Sequence, residues 1–332
     1  MRKTISDVAA RADVSIKTVS RVINNEPSVR PETKARVDSA IAALKFRPSQ
    51  AARALRGAKS FQIALMYDDP SPYYVYQMQE GLRARCKESG YRLLIQPCDV
   101  RSPTHIQEVD DLISETRPDG VVLSPPVTES EAVLKLFARR GIPVVRMSPG
   151  FMPGQTSQVA MDDVKAAFEI TDHLIKLGHT RIGFVIGKDN HVSSAERFQG
   201  YREALDAANI SFDETIVEQG QFDFTSGKNA CRSILACADR PTAIFASNDD
   251  MAAGVISAAN ELGFSVPNEL SVAGFDDADL AQLVWPQLTT IRQPVYNLAY
   301  AAGDILILGQ EAITSKLLPY ELVVRGSTAP PH

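Results

Sequence analysis

The chain carries several pairs of adjacent acids, among them Asp68–Asp69, Asp162–Asp163, Asp249–Asp250 and Asp276–Asp277. Two carboxylates can divide acid and base roles, but sequence neighbours on a strand or loop point apart, so these pairs are poor catalytic dyads. No GxxxxGK[ST] phosphate loop, GxSxG elbow or GxGxxG turn after the first core strand accompanies them. His105, His173, His179, His191 and His332 have no HxxxH spacing, and Cys86, Cys98, Cys231 and Cys237 no CxxC spacing. No enzyme activity, metal or cofactor is therefore expected. The chemistry these residue types can do is binding. Carboxylate, amide and guanidinium groups make paired hydrogen bonds to vicinal hydroxyls, and aromatic faces cover the C–H face of a sugar.

A second chemistry lies at the front of the chain, in "ISDVAARADVSIKTVSRVINN". On a helix from Ile16 to Asn24, Val19, Val22 and Ile23 share one face, while Lys17, Ser20, Arg21 and Asn24 share the opposite one. Cations and small polar groups on a free helical face suit the DNA major groove, where Arg and Lys reach guanine edges and phosphates. The alternative is an amphipathic surface domain that binds nothing. Charge favours nucleic acid: residues 1–60 hold thirteen Lys/Arg against five acids, a formal +8, whereas the whole chain is −5 and the remainder −13.

The elements that must position these groups follow from periodicity. Residues 4–45 read as three short helices: Thr4-x-x-Asp7 forms a capping box for the first, Ser15 caps the second, and Pro31 with Glu32 opens the third. A first helix, a turn through Val14 and Ser15, then a second helix is a helix-turn-helix. "SQAARALRG", residues 49–57, is expected to add a short helix ending at Gly57. From Phe61 apolar runs alternate with helical stretches: "FQIALMY", "YRLLIQP", "DGVVLSP", "IPVVRMS", then "RIGFVIG", "TIVEQG", "TAIFASN" and "LSVAGFD". That alternation predicts an α/β fold with parallel sheets and right-handed crossovers. The two series imply two subdomains. "LTTIRQP" and "YELVVRG" are expected to be late strands that cross back to complete both sheets.

Ligands of such sheets bind outside the carboxyl ends of the strands. The loops to inspect are thus "DDPSPYY", "HVSSAERFQGY", "SNDDMAAG" and "FDDAD". Trp285, the only tryptophan, is expected to provide structural cover. The chain has 332 residues, 44% of them hydrophobic, with no apolar run of the roughly 20 residues that span a bilayer. No apolar segment of a secretion signal follows Arg2 and Lys3, so a cytoplasmic, nucleoid-associated location is expected.

The order DVA…VS..TVSRV(I/L)N…V.P.T…V..AI..L…P…A..L within residues 5–57 closely resembles the LacI/GalR family of bacterial transcription regulators. "RIGFVIG…RFQGYREAL", "TAIFASNDDMAAGVISAANELGFSVPNELSVAGFDD" and "PQLTTIRQP" resemble that family's periplasmic-binding-protein-like core. The resemblance implies a helix-turn-helix domain over 1–48, a hinge helix and linker over 49–60, and an effector-binding, dimerising core over 61–332. The core would comprise an N-subdomain (about 61–161 and 290–318) and a C-subdomain (about 162–289 and 319–330). It places Ile16, Lys17 and Arg21 at base-contacting positions and Ser20, Asn24 and Thr33 at backbone-contacting or supporting ones. Ala52 and Arg53 would lie in the minor groove, with Leu55 wedged into a base step. Arg30 departs from the family by standing where a Ser cap is common. Arg197, Asn248 and Asp276 would be the main effector contacts, with Tyr73, Asp163 and Phe222 lining the same cleft and Asp68 and Tyr74 as secondary candidates. The implied function is a homodimeric repressor released from operator DNA by a sugar. The alternatives are a corepressor-dependent regulator of the same family and a sugar-binding protein without DNA function.

Overall fold

The computed structural model describes residues 3–23, 26, 28–46, 59–68, 71–150, 154–309 and 312–332. The expected hinge helix at 49–57, with Ala52, Arg53 and Leu55, lies outside them, as does Asn24. The chain divides into two units, Met1–Phe61 and Gln62–His332.

The first unit contains α1 (Ile5–Ala12), α2 (Ile16–Ile23) and α3 (Pro31–Leu44). Thr4 and Asp7 close the expected capping box over α1. Asp13, in the left-handed conformation, ends α1 and turns the chain toward α2. There Ser15 Oγ accepts from Thr18 N at 3.1 Å, satisfying one of the orphan amides of the new helix. Arg30 makes no side-chain cap for α3, and Pro31 alone presets its first turn. Val8, Ala9, Val19, Val22, Val37 and Ala40 form the buried centre. The Arg36 guanidinium donates to Ala12 O and Asp13 O at 2.5 and 2.9 Å, fastening α3 beneath the turn.

The second unit holds two parallel sheets. The first comprises β1 (Gln62–Tyr67), β2 (Arg92–Pro97), β3 (Gly120–Leu123), β4 (Val144–Met147), β5 (Ser157–Ala160) and β11 (Ser315–Leu317), in spatial order β11-β5-β4-β3-β1-β2. The second comprises β6 (Ile182–Ile186), β7 (Val217–Gln219), β8 (Ala243–Ala246) and β9 (Ser271–Ala273), in order β7-β6-β8-β9. Helices α4 (Pro72–Glu88), α5 (His105–Thr116), α6 (Glu131–Arg140) and α12 (Val295–Leu308) serve the first sheet. Helices α7 (Asp163–Lys176), α8 (Val192–Ala207), α9 (Phe224–Leu235), α10 (Asp249–Glu261) and the short α11 (Leu280–Leu283) serve the second.

Strands with helices on both faces must be apolar on both, and β3 and β8 are buried at every position. On β6, Ile182 and Phe184 face the core under α7 and α8, whereas Val185 faces the core under α9 and α10. Phe184 stacks on Tyr201 at 4.8 Å and meets Phe245 edge-on at 5.1 Å, while the Tyr201 hydroxyl donates to Ile182 O. Gly200 lets α8 approach α7 closely; a Cβ there would stand 2.1 Å from Val164 O.

The late strands differ from expectation. β10 (Thr290–Arg292) and β12 (Glu321–Val323) do not complete one sheet each; they pair antiparallel with one another. Bridges Ala273↔Thr289 and Asp276↔Arg292 attach β10 to the end of β9. The expected assignment of residues from 290 onward to the N-subdomain therefore starts too early, and α12 is the first element of that return. The strand that completes the first sheet is β11, which with β5 had no apolar run to announce it. Trp285 is no cover within this unit: it is 84% exposed beside the exposed Leu283. Among the described residues no helix is long and apolar enough to cross a membrane.

Candidate functional site

In the first unit, burying Val19 and Val22 turns the opposite face of α2 outward. Ile16, Lys17 and Arg21 are exposed there, with Ser20 and, on α3, Thr33 half-buried. Ile16 is 44% exposed, so its side chain is available to a partner rather than committed to the core. Arg21 Nε stands 3.5 Å from Glu26 Oε2 with both side chains largely in solvent, a weak pair that phosphate or a guanine edge can replace.

In the second unit a cleft of about 340 Å³ opens beyond the carboxyl ends of the strands of both sheets. Asp163, Arg197, Phe222, Asn248 and Asp276 all line it. They come from separate elements. Asp162 caps α7 and leaves Asp163 as its first residue, facing inward. Arg197 reaches in from α8, Asn248 caps α10, and Phe222 and Asp276 sit in the loops after β7 and β9. Tyr73 is not among the lining residues. Its neighbour Tyr74 is, because the helical turn of α4 directs Tyr74 to the cleft and Tyr73 toward Asp277 and Asp279. Asp68 does not line the cleft either.

The polar centre is a connected network. Arg197 is buried; its Nε donates to Asp163 Oδ1 at 2.8 Å and its guanidinium to Ser247 O at 2.6 Å. The same group lies 3.9 Å from Asp276 Oδ1 and stacks 3.8 Å over the Phe275 ring. Gln293 donates to Asp276 Oδ1 at 2.6 Å. Asn248 accepts from Met251 N and donates to Phe222 O, so one amide fixes both a helix start and the backbone of an aromatic wall. Phe222, Asp276 and Asp277 adopt positive φ angles of 58°, 125° and 54°, which non-glycine residues rarely hold. Such strain persists where the surroundings over-determine it, and ligand sites are where it gathers.

Burial controls the charges. It pushes the Asp276 carboxyl up to about 7 against the opposing pull of Arg197, and also raises Asp163 and Asp249. Glu196, one residue before Arg197 on α8, is likewise raised to about 7 by burial. His191 is held down to about 4 by burial and is therefore neutral at pH 7. Four carboxyl residues, Asp163, Asp223, Asp250 and Asp276, line the cleft with two cationic ones, Lys188 and Arg197. Tyr74, Phe222, Phe224 and His191 supply aromatic surface, Phe222 and His191 meeting edge-on at 5.4 Å. This arrangement can grip a compact ligand rich in hydroxyl groups and covered by aromatic faces.

Sequence reasoning pointed to the loops after β1, β6, β8 and β9, all of which contribute. It missed Gln293, which follows β10, and Ser148 and Pro125, which follow β4 and β3. The rule that ligands sit beyond strand ends would have found these had it been applied to every strand. Among the described residues no group of three His, Cys, Asp or Glu side chains is placed to hold a metal.

Comparisons with known proteins bear on both units. The profile for bacterial regulatory proteins of the lacI family matches residues 4–49, and that for a periplasmic binding protein-like domain matches residues 171–328. The chain is 34% identical to the HTH-type transcriptional regulator DegA of Bacillus subtilis (strain 168), over 99% of each. It is 31% identical to catabolite control protein A of Priestia megaterium, over 99% of this chain and 100% of that one. Among solved structures, a transcriptional regulator CelR–cellobiose complex superposes with a TM-score of 0.75 at 30% identity, covering 98% of this chain and all of that one. The lac repressor dimer bound to operator and the anti-inducer ONPF gives 0.82 at 27% identity, covering 99% and 100%.

Proposed function

We propose, from the premise that this chain belongs to the lacI family of bacterial regulatory proteins, that it represses carbohydrate-utilisation genes and is released from its operator by an uncharged sugar. It is a DNA-binding transcription regulator by family. The finer reading rests on one observation: the Asp163–Arg197–Asp276–Gln293 network lines a cleft beside Tyr74 and Phe222. Carboxylate and guanidinium edges accept and donate to neighbouring hydroxyls, and the aromatic faces cover ring C–H groups. A phosphorylated sugar or an anionic corepressor would meet four carboxyl side chains against two cations, Lys188 and Arg197, the latter already engaged by Asp163 and Ser247 O.

On this reading Ile16, Lys17 and Arg21 contact bases, Ile16 through a thymine methyl, while Ser20 and Thr33 contact or support the backbone. Asn24, Ala52, Arg53 and Leu55 are assigned to DNA by the family pattern alone. Two copies present two recognition helices to the half-sites of a pseudo-palindrome, as the two-fold symmetry of a dimer requires. The protein acts in the cytoplasm, on the nucleoid. A thermal-shift screen of mono- and disaccharides and their phosphates tests the effector: a neutral sugar should raise the melting temperature, since binding to the native state stabilises it. Asp276→Ala should keep operator affinity and lose release by that sugar. Stabilisation by sugar phosphates alone would refute the proposal.

A further inference from the structure

The chain passes between the two sheets three times, at residues 161–162, 293–294 and 318–320. The second and third passages begin or end on β10 and β12, which pair with one another. One buried carboxylate holds both. Asp277 Oδ2 accepts from Arg292 Nε on β10 at 2.7 Å, and its Oδ1 accepts from the Arg325 guanidinium, two residues past β12, at 2.5 Å. The Asp277 side chain is 4% exposed and that of Arg325 12%. Asp277 follows Asp276, the cleft carboxyl, and both have positive φ.

The loop between them is pinned from every side. Asp276 N donates to Ile291 O at 2.8 Å, and Gln293 N to Asp276 O at 3.3 Å. Ala278 N donates to Asp249 Oδ2, whose other oxygen accepts from Thr290 Oγ1. Arg325 also donates to Leu288 O, ahead of β10. A displacement of Asp276 therefore cannot be absorbed locally. It would be passed through Asp277 to two of the segments that join the first sheet to the second.

We infer that Asp277 is the positioning residue that couples the effector-facing carboxyl of Asp276 to both late interlobe crossings, by ion pairs to Arg292 and Arg325. The inference rests on the proposed sugar site. Asp276 senses the ligand, Asp277 transmits, and neither Arg292 nor Arg325 lines the cleft. A buried carboxylate that accepts from one guanidinium on each oxygen ties β10 and the segment after β12 to one point.

The test uses full-length protein, an operator selected from random duplexes, and the sugar that most stabilises the wild type. The quantity read is the factor by which that sugar, at saturation, weakens operator binding. For the wild type it should be about tenfold or more, within the usual span of allosteric coupling. Asp277→Asn and Arg325→Gln should bring it to within about twofold of unity while sugar affinity stays within about threefold. Glu321→Gln, which removes only the Arg292–Glu321 contact between the two strands, should leave it unchanged. A purely structural role would lower the melting temperature of Asp277→Asn and keep the release factor, which overturns the inference. An equal loss in Glu321→Gln overturns it too, since pairing of the strands would then suffice. If no sugar stabilises the wild type, the functional proposal fails instead, and ligand-free hydrogen exchange decides the coupling. Faster exchange in residues 274–279, 290–293 and 321–325 together in either variant supports it, and unchanged exchange in 321–325 overturns it.

Discussion

Asp276→Asn should remove a defined part of the pH dependence of stability. The carboxyl is 6% exposed and burial raises it to about 7, while an unfolded aspartate titrates near 3.9. Between those values the folded chain keeps a proton that the unfolded chain has lost. Stability from this group is therefore complete below about pH 4 and is lost as pH rises through 7, the reverse of a salt-bridged carboxylate. Integrating between pH 5 and pH 7.5 gives a loss of roughly 2–3 kcal/mol from this site in the wild type, absent in the variant. Asparagine keeps an acceptor for Gln293, so the comparison isolates titration from hydrogen bonding. The assay is urea unfolding of wild type and variant at both pH values. The double difference removes the groups that do not sense Asp276; Asp249, whose carboxyl is raised in part by Asp276, titrates with it, so the value reports the site rather than one carboxyl. A double difference near zero would refute the buried-proton account. It would mean that Arg197, 3.9 Å away, keeps the carboxyl ionised despite its burial.

Other perturbations test separate parts. Arg21→Ala should weaken operator binding by about 1–3 kcal/mol and leave sugar binding unchanged, read by fluorescence anisotropy at fixed salt; unchanged operator affinity would remove Arg21 from the reading face. Arg197→Leu should destabilise the core by about 3–5 kcal/mol in urea unfolding, because Asp163 would stay buried without its partner. Gly200→Ala should cost about 1–3 kcal/mol by the same assay, since the new methyl meets backbone at Val164 and Phe168 rather than a side chain that can move.

Local rules made much of this molecule legible. Thr4 and Asp7 give a capping box that depends only on residues three apart, and Val19 with Val22 fixes which side of α2 is buried. Eight core strands, β1–β4 and β6–β9, were visible as short apolar runs, most clearly β3 and β8, which are covered on both faces and so apolar throughout. β5, "SQVA", and β11, "SKL", lack that mark: each is short, and β11 lies at the edge of its sheet. The cleft was legible in part. The loops after strands could be found, and the family pattern named Asp163 and Arg197. That these two bond to each other across 34 residues, at 2.8 Å, is a property of α7 packing on α8. The strained backbones of Phe222, Asp276 and Asp277 had no sequence mark at all, since none is glycine. The choice between Tyr73 and Tyr74 depends on the rotation of α4, about 100° per residue, which a loop-based reading cannot set.

The electrostatics of the cleft explain why a neutral ligand can act as a switch. Asp163 and Asp276 are buried with their charged forms disfavoured, and one guanidinium serves both. Tyr74 and Ser148 belong to the first sheet's lobe, while Arg197, Asn248 and Asp276 belong to the second. Hydroxyl donors from a bound sugar would offset the desolvation of these carboxyls only where both walls are close enough to share the ligand. Binding energy would then differ between lobe arrangements, and a ligand shifts an equilibrium only by such a difference. An ion inserted at the same place would add its own desolvation cost to an acidic wall, and that cost would arise in every arrangement of the lobes. On the proposed reading, an uncharged, polyhydroxylated molecule would draw its discrimination from hydroxyl contacts shared by both walls of the cleft.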